Sequence, residues 1–238
     1  MQVAFYNPNA KFKKVVSYHK RRHRIWIVLT PRDTQFYYFS LCSKRPKINQ
    51  MRNVIFAINT ALDGCCDHAK YNPDEETMEY FTHLTQNADT FLYGRKTYEL
   101  MVPYWPDVAK NHSEKNDRKA DIDFALAFDA VEKIIVFSQS LESAGREKTR
   151  IVRANLHDEV LKLKQGKGKN ILTGGVTIPT QLAALGLINE YHFVVHPIVA
   201  GEGRQLFEGN NMKEKLPLKL VASTVFKCGT VALRYLKQ

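Results

Sequence analysis

The sequence of 238 residues predicts an α/β fold, a three-layer sandwich around a central, mixed but mostly parallel sheet. Two observations predict this class. From residue 51 onward, short apolar strand-like runs alternate with helix-like segments, which is typical of a sheet covered by helices on both faces. Near the end of the chain, two strand-like runs flank Cys228-Gly229. This pattern predicts a closing antiparallel hairpin, which makes the sheet mixed.

Each strand is predicted from a short run rich in β-branched and aromatic residues. The strands are expected at Val54–Ile58, Thr90–Tyr93, Lys133–Phe137, Arg150–Val152, Asn170–Thr173, Tyr191–Val195, Leu218–Phe226 and Val231–Leu236.

Helices are expected at Pro73–Gln86, Lys96–Met101, Leu156–Gln165 and Thr177–Leu185. In the first of them, Asn72 is the expected N-cap, and acidic residues occupy the first turn, where the helix dipole favours them. Residues 103–123 contain Pro103, Trp105 and Pro106 and are predicted to form a polar loop.

Charge divides the chain at residue 50. The first 50 residues contain eleven Lys or Arg and one acid, Asp33, and so carry +10 of the formal net charge of +11. Met51 stands directly before the first clear core strand, so residues 51–238 are predicted to form a domain of their own. We favour residues 1–50 as a weakly structured extension, or as sequence outside the native protein. An ordered appendage such as a hairpin, and a basic arm for nucleic acid or a membrane surface, are the alternatives.

Other classes of protein are disfavoured. No apolar run approaches the roughly 20 residues that span a bilayer, and no signal peptide is recognised. The cysteines, Cys42, Cys65, Cys66 and Cys228, lack the spacing of a zinc site, so no metal is expected. They are interpreted as reduced thiols of a cytoplasmic protein.

The stretch FLYGRKTYELM, residues 91–101, predicts an anion site. A strand ends at Gly94, and Arg95, Lys96 and Thr97 follow at the start of a helix. Helix N-termini favour anions because their free N–H groups and the helix dipole point outward. One such turn is weak support for a phosphate site.

A second turn of the same kind follows the strand Ile171–Thr173, where Gly174-Gly175 leads into the next helix. Paired glycines let a ligand approach the backbone, although alone they are more often a tight connection. Two such turns at one edge of a sheet suit a dinucleotide with an extra 2′-phosphate. The backbone N–H groups and the helix dipole would bind the pyrophosphate, and the cations would bind the 2′-phosphate.

Two further loops carry polar residues. INTALDGCCDH, residues 58–68, offers Asn59 and Asp63, either as ligand contacts or as parts of an ordinary Asp-Gly turn. VVHPIVAGEGRQLF, residues 194–207, contains His196, interpreted as a partly buried histidine with its hydrogen bonds satisfied, and glycines that serve turn geometry. A hydrolase is disfavoured because no G-x-S-x-G elbow is present.

Taken in order, these motifs resemble the dihydrofolate-reductase-like superfamily. The series LDG, YGRKTYE, WP, KIIVFS, GG…QL…GLINEY, VVHPIVAGEGRQLF and a final G-x-V-x-L-x-Y spans residues 51–238. The chain looks closest to stand-alone homologues of the reductase domain at the C-terminus of the bifunctional riboflavin-biosynthesis deaminase-reductase. Residues 1–50 have no counterpart in this resemblance.

The resemblance implies NADPH binding, hydride transfer to a small molecule, and a homodimer. It places Gly94, Arg95, Lys96 and Thr97 at the 2′-phosphate and neighbouring pyrophosphate, Ser138 on the adenosine side, and Gly174, Gly175 and Val176, preceded by Thr173, at the pyrophosphate turn. It places Ala57 and Asn59 beside the nicotinamide and Asp63 in the adjoining loop, with Asn59 and Asp63 as the catalytic candidates.

Two departures from the family bear on the substrate. The riboflavin reductase has a glutamate where this chain has Thr173, and the zinc-deaminase half, with H-x-E and P-C-x-x-C, is missing. We therefore expect an NADPH-dependent reductase acting on a planar heterocycle, pterin- or pyrimidine-like, or on a small carbonyl compound. A non-catalytic dinucleotide-binding protein is the first alternative. Nucleic-acid binding through residues 1–50 is the second and is not expected, and no membrane partner is expected.

Overall fold

The computed structural model describes the side chains of residues 51–113, 117–207 and 215–238, and only the backbone of residues 14–20, 23–29 and 38–39. The chain divides into two compact units, Met1–Gln50 and Met51–Gln238. In the first unit, the strands β1 (Lys14–Lys20), β2 (His23–Leu29) and β3 (Tyr38–Phe39) form an antiparallel sheet in the order β1-β2-β3. The side chains of the basic cluster 18–24 and of the aromatic residues 36–39 lie outside the described residues.

The second unit is built on an eight-stranded sheet with the order β10-β11-β9-β4-β8-β5-β6-β7. Its strands are β4 (Val54–Ala61), β5 (Ala88–Gly94), β6 (Lys133–Phe137), β7 (Thr149–Val152), β8 (Asn170–Thr173), β9 (Glu190–His196), β10 (Leu218–Val225) and β11 (Val231–Lys237). Six neighbouring strands, β9, β4, β8, β5, β6 and β7, are parallel to one another. The strands β11 and β10 are added antiparallel beside β9. The predicted mixed α/β fold with an antiparallel C-terminal hairpin is confirmed.

Helices cover both faces of this sheet. They are α1 (Glu75–Gln86), α2 (Arg95–Asn111), α3 (Lys119–Asp129), α4 (Leu156–Gln165) and α5 (Thr177–Ala184), with a short 3₁₀ turn at His68–Lys70. Within the described part of the chain, no helix is long and apolar enough to cross a membrane.

The alternation of side chains along β4 shows how the two layers form. Val54, Phe56 and Ile58 point to one face and pack with α4 and α5. Ile55 and Ala57 point to the other face and pack with α1, α2 and α3. Because β4 is buried on both faces, it lacks a polar side, as is typical of central parallel strands.

All predicted strands occur within three residues of their expected bounds. The strands β6 and β8 and the helix α4 match the prediction at both ends. The prediction of a polar loop over residues 103–123 is wrong. The helix α2 continues through both prolines to Asn111, and α3 begins at Lys119. Asn72 is also not the cap of α1. That position is taken by Asp74, whose side chain accepts a hydrogen bond of 2.9 Å from the Thr77 N–H.

Tertiary packing explains why α2 remains helical although it contains two prolines. A proline inside a helix leaves the carbonyl four residues earlier without its usual partner. Pro103 lies on the exposed side of α2, where water can satisfy that carbonyl. On the opposite side Val102 is buried, and Trp105 makes an edge contact with Phe124 of α3, with ring centroids 4.6 Å apart. The two helices thus stabilise each other where local propensity favours a loop.

Candidate active site

The candidate site lies where the parallel strands end. In the order β9, β4, β8, β5, β6, the carboxyl ends of the strands meet at one edge of the sheet, so side chains that follow each strand are neighbours. This is the edge at which ligands of open α/β sheets usually bind. The two glycine turns predicted as phosphate sites follow the adjacent strands β5 and β8.

An open cleft of about 200 Å³ lies between these two turns. It is lined by Gly94, Arg95, Lys96, Thr97, Phe137, Gly174, Val176, Thr177, Ile178 and Arg204. Six of the predicted cofactor residues therefore line one cavity, and they come from two motifs about 80 residues apart in sequence.

The turns pack against each other through their glycines. A Cβ at Gly94 would lie 3.1 Å from Ile178 Cγ1 of α5, and a Cβ at Gly175 would lie 2.2 Å from Thr97 Oγ1 of α2. Gly175 also has φ of 79°, a left-handed conformation that other residues adopt at a cost. Each glycine thus allows the other turn's helix to approach, which brings the first turns of α2 and α5 to the same cleft.

Three cations surround the cleft. Arg95 is half-exposed and donates through Nη1 to both carboxylate oxygens of Glu99, at 3.0 and 2.9 Å, and Lys96 is exposed. Arg204 reaches in from the loop after β9, and its Nη2 donates to Thr177 Oγ1 at 2.8 Å. Arg204 was not among the predicted site residues, although it lies in the GEGRQLF stretch that the motif series includes.

The remaining predicted cofactor residues lie around the cleft rather than in its lining. Thr173 is fully buried, and its hydroxyl donates to the Leu92 carbonyl at 2.7 Å, so it joins β8 to β5. Ser138 directly follows Phe137, and its hydroxyl accepts two backbone N–H bonds of its own turn, at 3.2 and 2.9 Å. The carbonyl oxygen of Ala57 would lie 3.5 Å from a Cβ at Gly174, so the end of β4 adjoins the glycine turn.

A second cavity, also about 200 Å³, lies at the end of β9. Its lining includes Lys70, Tyr71, Asn72, Asp74, His196, Pro197, Ile198, Cys228 and Thr230. The Tyr71 ring stacks on the imidazole of His196, with centroids 4.8 Å apart and an interplanar angle of 20°.

His196 links this cavity to the predicted catalytic residue Asn59. The distance between His196 Nε2 and Asn59 Oδ1 is 2.9 Å, and His196 Nδ1 is 3.4 Å from the Thr230 hydroxyl. Since an amide oxygen only accepts, Nε2 carries the proton in this arrangement. Burial lowers the pKa of His196, so the ring is neutral near pH 7. The interpretation of His196 as a partly buried, hydrogen-bonded histidine fits these contacts.

The other predicted catalytic residue, Asp63, ties two loops together. Its Oδ2 accepts from the Gly201 N–H at 2.8 Å and its Oδ1 from the Cys65 N–H at 3.3 Å. These backbone hydrogen bonds, that from Gly201 above all, lower the pKa of the Asp63 carboxyl. Neither Asp63 nor Asn59 lines the cleft between the glycine turns.

We name the joined loops, residues 62–71 and 198–206, the clasp. Beyond the contacts of Asp63, backbone hydrogen bonds connect Leu62 N to Ile198 O, Cys66 N to Arg204 O and Leu206 N to Gly64 O, at 2.9, 2.8 and 3.0 Å. The clasp therefore reaches from the cavity beside His196 to the cleft at Arg204.

The chemistry of the cleft suits an extended, phosphate-bearing ligand. Two helix N-termini and three cations face it, and only one carboxylate, that of Glu99, pairs with these cations among the described residues. The glycines leave backbone accessible where a side chain would block it. The cleft therefore offers both backbone N–H groups and cationic side chains to phosphate oxygens.

Comparison with known proteins identifies relatives of the second unit. The family model described as the RibD C-terminal domain matches residues 52–232. Two proteins of Bacillus subtilis (strain 168) are similar in sequence. The uncharacterized protein YyaP is 31% identical over 190 residues, which cover 78% of this chain and 95% of YyaP. The uncharacterized protein YwjB is 27% identical over 180 residues, covering 71% of this chain and 90% of YwjB.

Solved structures share the fold. A putative riboflavin biosynthesis protein from Shewanella sp. PV-4 matches with a TM-score of 0.57 and 21% identity, over 79% of this chain and 99% of that protein. A diaminohydroxyphosphoribosylaminopyrimidine deaminase/5-amino-6-(5-phosphoribosylamino)uracil reductase from Thermotoga maritima matches with a TM-score of 0.55 and 17% identity, over 79% and 57% of the two chains. With the family match covering most of its length, this chain belongs to the RibD C-terminal domain family and has the dihydrofolate-reductase-like fold.

Proposed function

We propose that the protein is an NADPH-dependent reductase that transfers a hydride to a small substrate, either a planar heterocycle of pterin or pyrimidine type or a small carbonyl compound. The observation that carries this proposal is the convergence of the two glycine turns, with Arg95, Lys96 and Arg204, on one cleft. A site with three cations and two helix N-termini is built for more than one phosphate group.

In this proposal, the residues after β5 hold the 2′-phosphate. Arg95 presents a planar fork of N–H donors and Lys96 a second positive charge, and both stand in the first turn of α2. Glu99 orients Arg95 through its Nη1, which leaves the other guanidinium donors available to a phosphate. Ser138, at the end of the next strand, would adjoin the adenosine.

The residues after β8 and β4 would hold the remainder of the cofactor. The backbone of Gly174 and Gly175 would contact the pyrophosphate, and Ala57 would flank the nicotinamide. When bound, the cofactor supplies a hydride from C4 of its nicotinamide ring. The protein's part is to hold that carbon against the acceptor and to exclude water.

The cavity beside His196 is proposed to receive the acceptor substrate. It adjoins Asn59 on the side of β4 away from the glycine turns, so an acceptor there would lie beside the nicotinamide end of the cleft. Hydride transfer also requires a proton for the reduced acceptor. Because the lowered pKa of Asp63 keeps its carboxyl ionised at neutral pH, we propose solvent as the proton source.

The test is a titration of the full chain with NADPH and with NADH, followed by quenching of its aromatic fluorescence, with Arg95→Ala in parallel. We expect NADPH to bind more tightly than NADH, and we expect Arg95→Ala to lose most of that preference. Each charge-assisted contact of this kind is worth roughly 1.5–3 kcal/mol, or about tenfold or more in affinity. An acceptor screen with NADPH oxidation as readout follows.

Two results would contradict the proposal. If wild-type protein binds neither nucleotide, the cleft is no cofactor site. If NADPH binds but no planar heterocycle or carbonyl compound supports its oxidation, the protein is a dinucleotide-binding protein without reductase activity.

We also propose that the protein forms a homodimer through the outer strand of its sheet. The strand β10 lies at the end of the sheet order, and Leu220, Val221 and Val225 on it are 50%, 40% and 72% exposed. An exposed apolar edge strand is normally covered in a soluble protein. Sedimentation velocity of the wild-type protein and of Val221→Lys tests this, with the dimer expected only for the wild type.

A further inference from the structure

We propose that Arg204 binds the pyrophosphate of the dinucleotide and thereby sets the affinity for NADPH and NADH alike. This inference rests on the proposed function and assigns a role to a residue outside both glycine turns. The cleft has a cation on each of its two sides, and these cations stand on different strand ends of the sheet.

The first argument is the position of the side chain. Arg204 lines the same cleft as Gly174 and Val176, and its Nη2 donates to Thr177 Oγ1 at 2.8 Å. The hydroxyl contact holds the guanidinium over the turn after β8. Among the residues that the structure describes, no carboxylate pairs with Arg204, whereas Arg95 is paired with Glu99.

The second argument is how the backbone presents that side chain. The carbonyl of Arg204 accepts two hydrogen bonds from Cys66, one from its backbone N–H at 2.8 Å and one from its thiol at 3.1 Å. Burial raises the pKa of the Cys66 thiol to about 11, so it remains a protonated donor at neutral pH. Both bonds fix the backbone of the clasp at Arg204, whose side chain lines the cleft.

The third argument is hydrogen-bonding capacity. A guanidinium has five N–H donors, and the contact with Thr177 uses one of them. The remaining donors form a planar fork, the geometry that binds two oxygens of a phosphate or a pyrophosphate. The Arg204 guanidinium lines the cleft and has no acidic partner among the described residues. Its ligand is therefore expected to be an anion.

The order of the strands indicates which phosphate group of the dinucleotide Arg204 binds. Arg95 follows β5, whose outer neighbour is β6 with Ser138, the adenosine side of the proposed site. Arg204 stands over the turn after β8, whose other neighbour is β4, the nicotinamide side. In a dinucleotide laid along this edge, the pyrophosphate lies between the two ends and the 2′-phosphate lies at the adenosine end. Arg204 is thus matched to the pyrophosphate and Arg95 to the 2′-phosphate.

The experiment compares Arg204→Met with Arg95→Met in titrations with NADPH and NADH. Methionine keeps a long apolar stem and removes only the charge and its donors. We expect Arg204→Met to weaken binding of both nucleotides by a similar factor, about tenfold, because both carry the pyrophosphate. Arg95→Met is expected to weaken NADPH alone.

Two further variants complete the design. Thr177→Val removes the hydroxyl that holds Arg204, and it is expected to weaken both nucleotides by a smaller common factor of about threefold. Lys133→Met removes a positive charge from the exposed first residue of β6, at the amino edge of the sheet, and should change neither affinity. Thermal unfolding of each variant establishes that it is folded at the temperature of the titration.

The outcomes separate this inference from the proposed function. If Arg204→Met binds both nucleotides as the wild type does, or loses only the preference for NADPH, the assignment to the pyrophosphate is overturned while the reductase proposal stands. If the wild type binds neither nucleotide, both are overturned. Equal weakening of both nucleotides by Arg204→Met, with Lys133→Met unchanged, supports the inference.

Discussion

The two edges of the parallel sheet hold arginine in opposite ways. At the amino edge, Arg52 is buried, forms an ion pair with Asp89, and donates to the Lys169 carbonyl at 2.7 Å and the Thr90 hydroxyl at 2.9 Å. At the carboxyl edge, Arg95 is half-exposed with one acidic partner, and Arg204 has a single hydroxyl contact among the described side chains.

The arginine at the amino edge serves stability, whereas those at the carboxyl edge are available for ligand binding. A buried cation must have its donors satisfied by the protein, since an unpaired buried charge is strongly destabilising. A cation at the surface of a cleft has donors left for a ligand, and its own ion pairs add little to stability. We therefore expect substitutions at the amino edge to change the free energy of unfolding and those at the carboxyl edge to change ligand affinity.

The largest effect is expected for Arg52→Met. This change leaves the Asp89 carboxylate, whose side chain is 12% exposed, without its cation. The free energy of unfolding should fall by about 3–5 kcal/mol, measured by urea denaturation at pH 7.

The double variant Arg52→Met/Asp89→Leu is the control for this pair. Removing both charges should recover much of the lost stability, because the cost comes from the unpaired carboxylate. If Arg52→Met is as stable as the wild type, the stability of the fold does not depend on this fully hydrogen-bonded arginine. The proposed difference between the two edges would then be wrong.

An intermediate effect is expected for Glu190, at the start of β9. Burial alone would raise its pKa, but hydrogen bonds donated by His192 at 2.6 Å and Arg234 at 2.7 Å more than offset burial, and the pKa falls from its ordinary 4.5 to about 2. A carboxyl with a depressed pKa stabilises the fold above its unfolded pKa. That stability is present above about pH 4.5 and is lost as the pH falls toward 2.

Urea denaturation of wild type and Glu190→Gln as a function of pH measures this contribution. At pH 7 the variant should be less stable by about 2 kcal/mol, and the gap should narrow steadily below pH 4.5. A gap that stays constant down to pH 3 would show that the charge of Glu190 contributes nothing to stability.

The smallest effect is expected for Glu99→Gln at the carboxyl edge. The exposed pair with Arg95 contributes little to folding, so the free energy of unfolding should change by less than about 0.5 kcal/mol. Removing the negative charge beside the proposed 2′-phosphate site should tighten NADPH by about threefold and leave NADH unchanged. Gln keeps one oxygen that can accept from Arg95 Nη1, so the orientation of Arg95 should be retained. Weaker NADPH binding would instead mean that both carboxylate oxygens of Glu99 are needed to orient Arg95.

The strands and both glycine turns could be predicted from the sequence because their signals are local. Runs such as KIIVF and NILT are buried on both faces, and so they read as continuous apolar strands. Gly94 and Gly175 stand where another element passes close to the backbone. The reciprocal packing of Gly175 on Thr97 and Gly94 on Ile178, by contrast, has no local signal.

Two features could not be predicted because they depend on contacts distant in sequence. The helices α2 and α3 form where prolines and polar residues predict a loop, since Trp105 and Phe124 pack together. The pair Phe124 and Phe128, four residues apart and both buried, was an available signal for α3. Arg204 reaches the cleft only through the clasp, whose hydrogen-bonded residues are 138 apart in sequence at Cys66–Arg204 and Asp63–Gly201.

The clasp also has a thermodynamic consequence. Its two loops are joined by the backbone hydrogen bonds of Leu62 with Ile198, Cys66 with Arg204 and Leu206 with Gly64. Opening either loop breaks the contacts of the other, so the two loops should exchange their amide hydrogens as one cooperative unit. Since one end of that unit borders the proposed acceptor cavity and the other carries Arg204, a ligand that orders either end lowers the entropic cost of binding at the other. Acceptor and dinucleotide would therefore bind with positive coupling, of equal size in whichever order they are added.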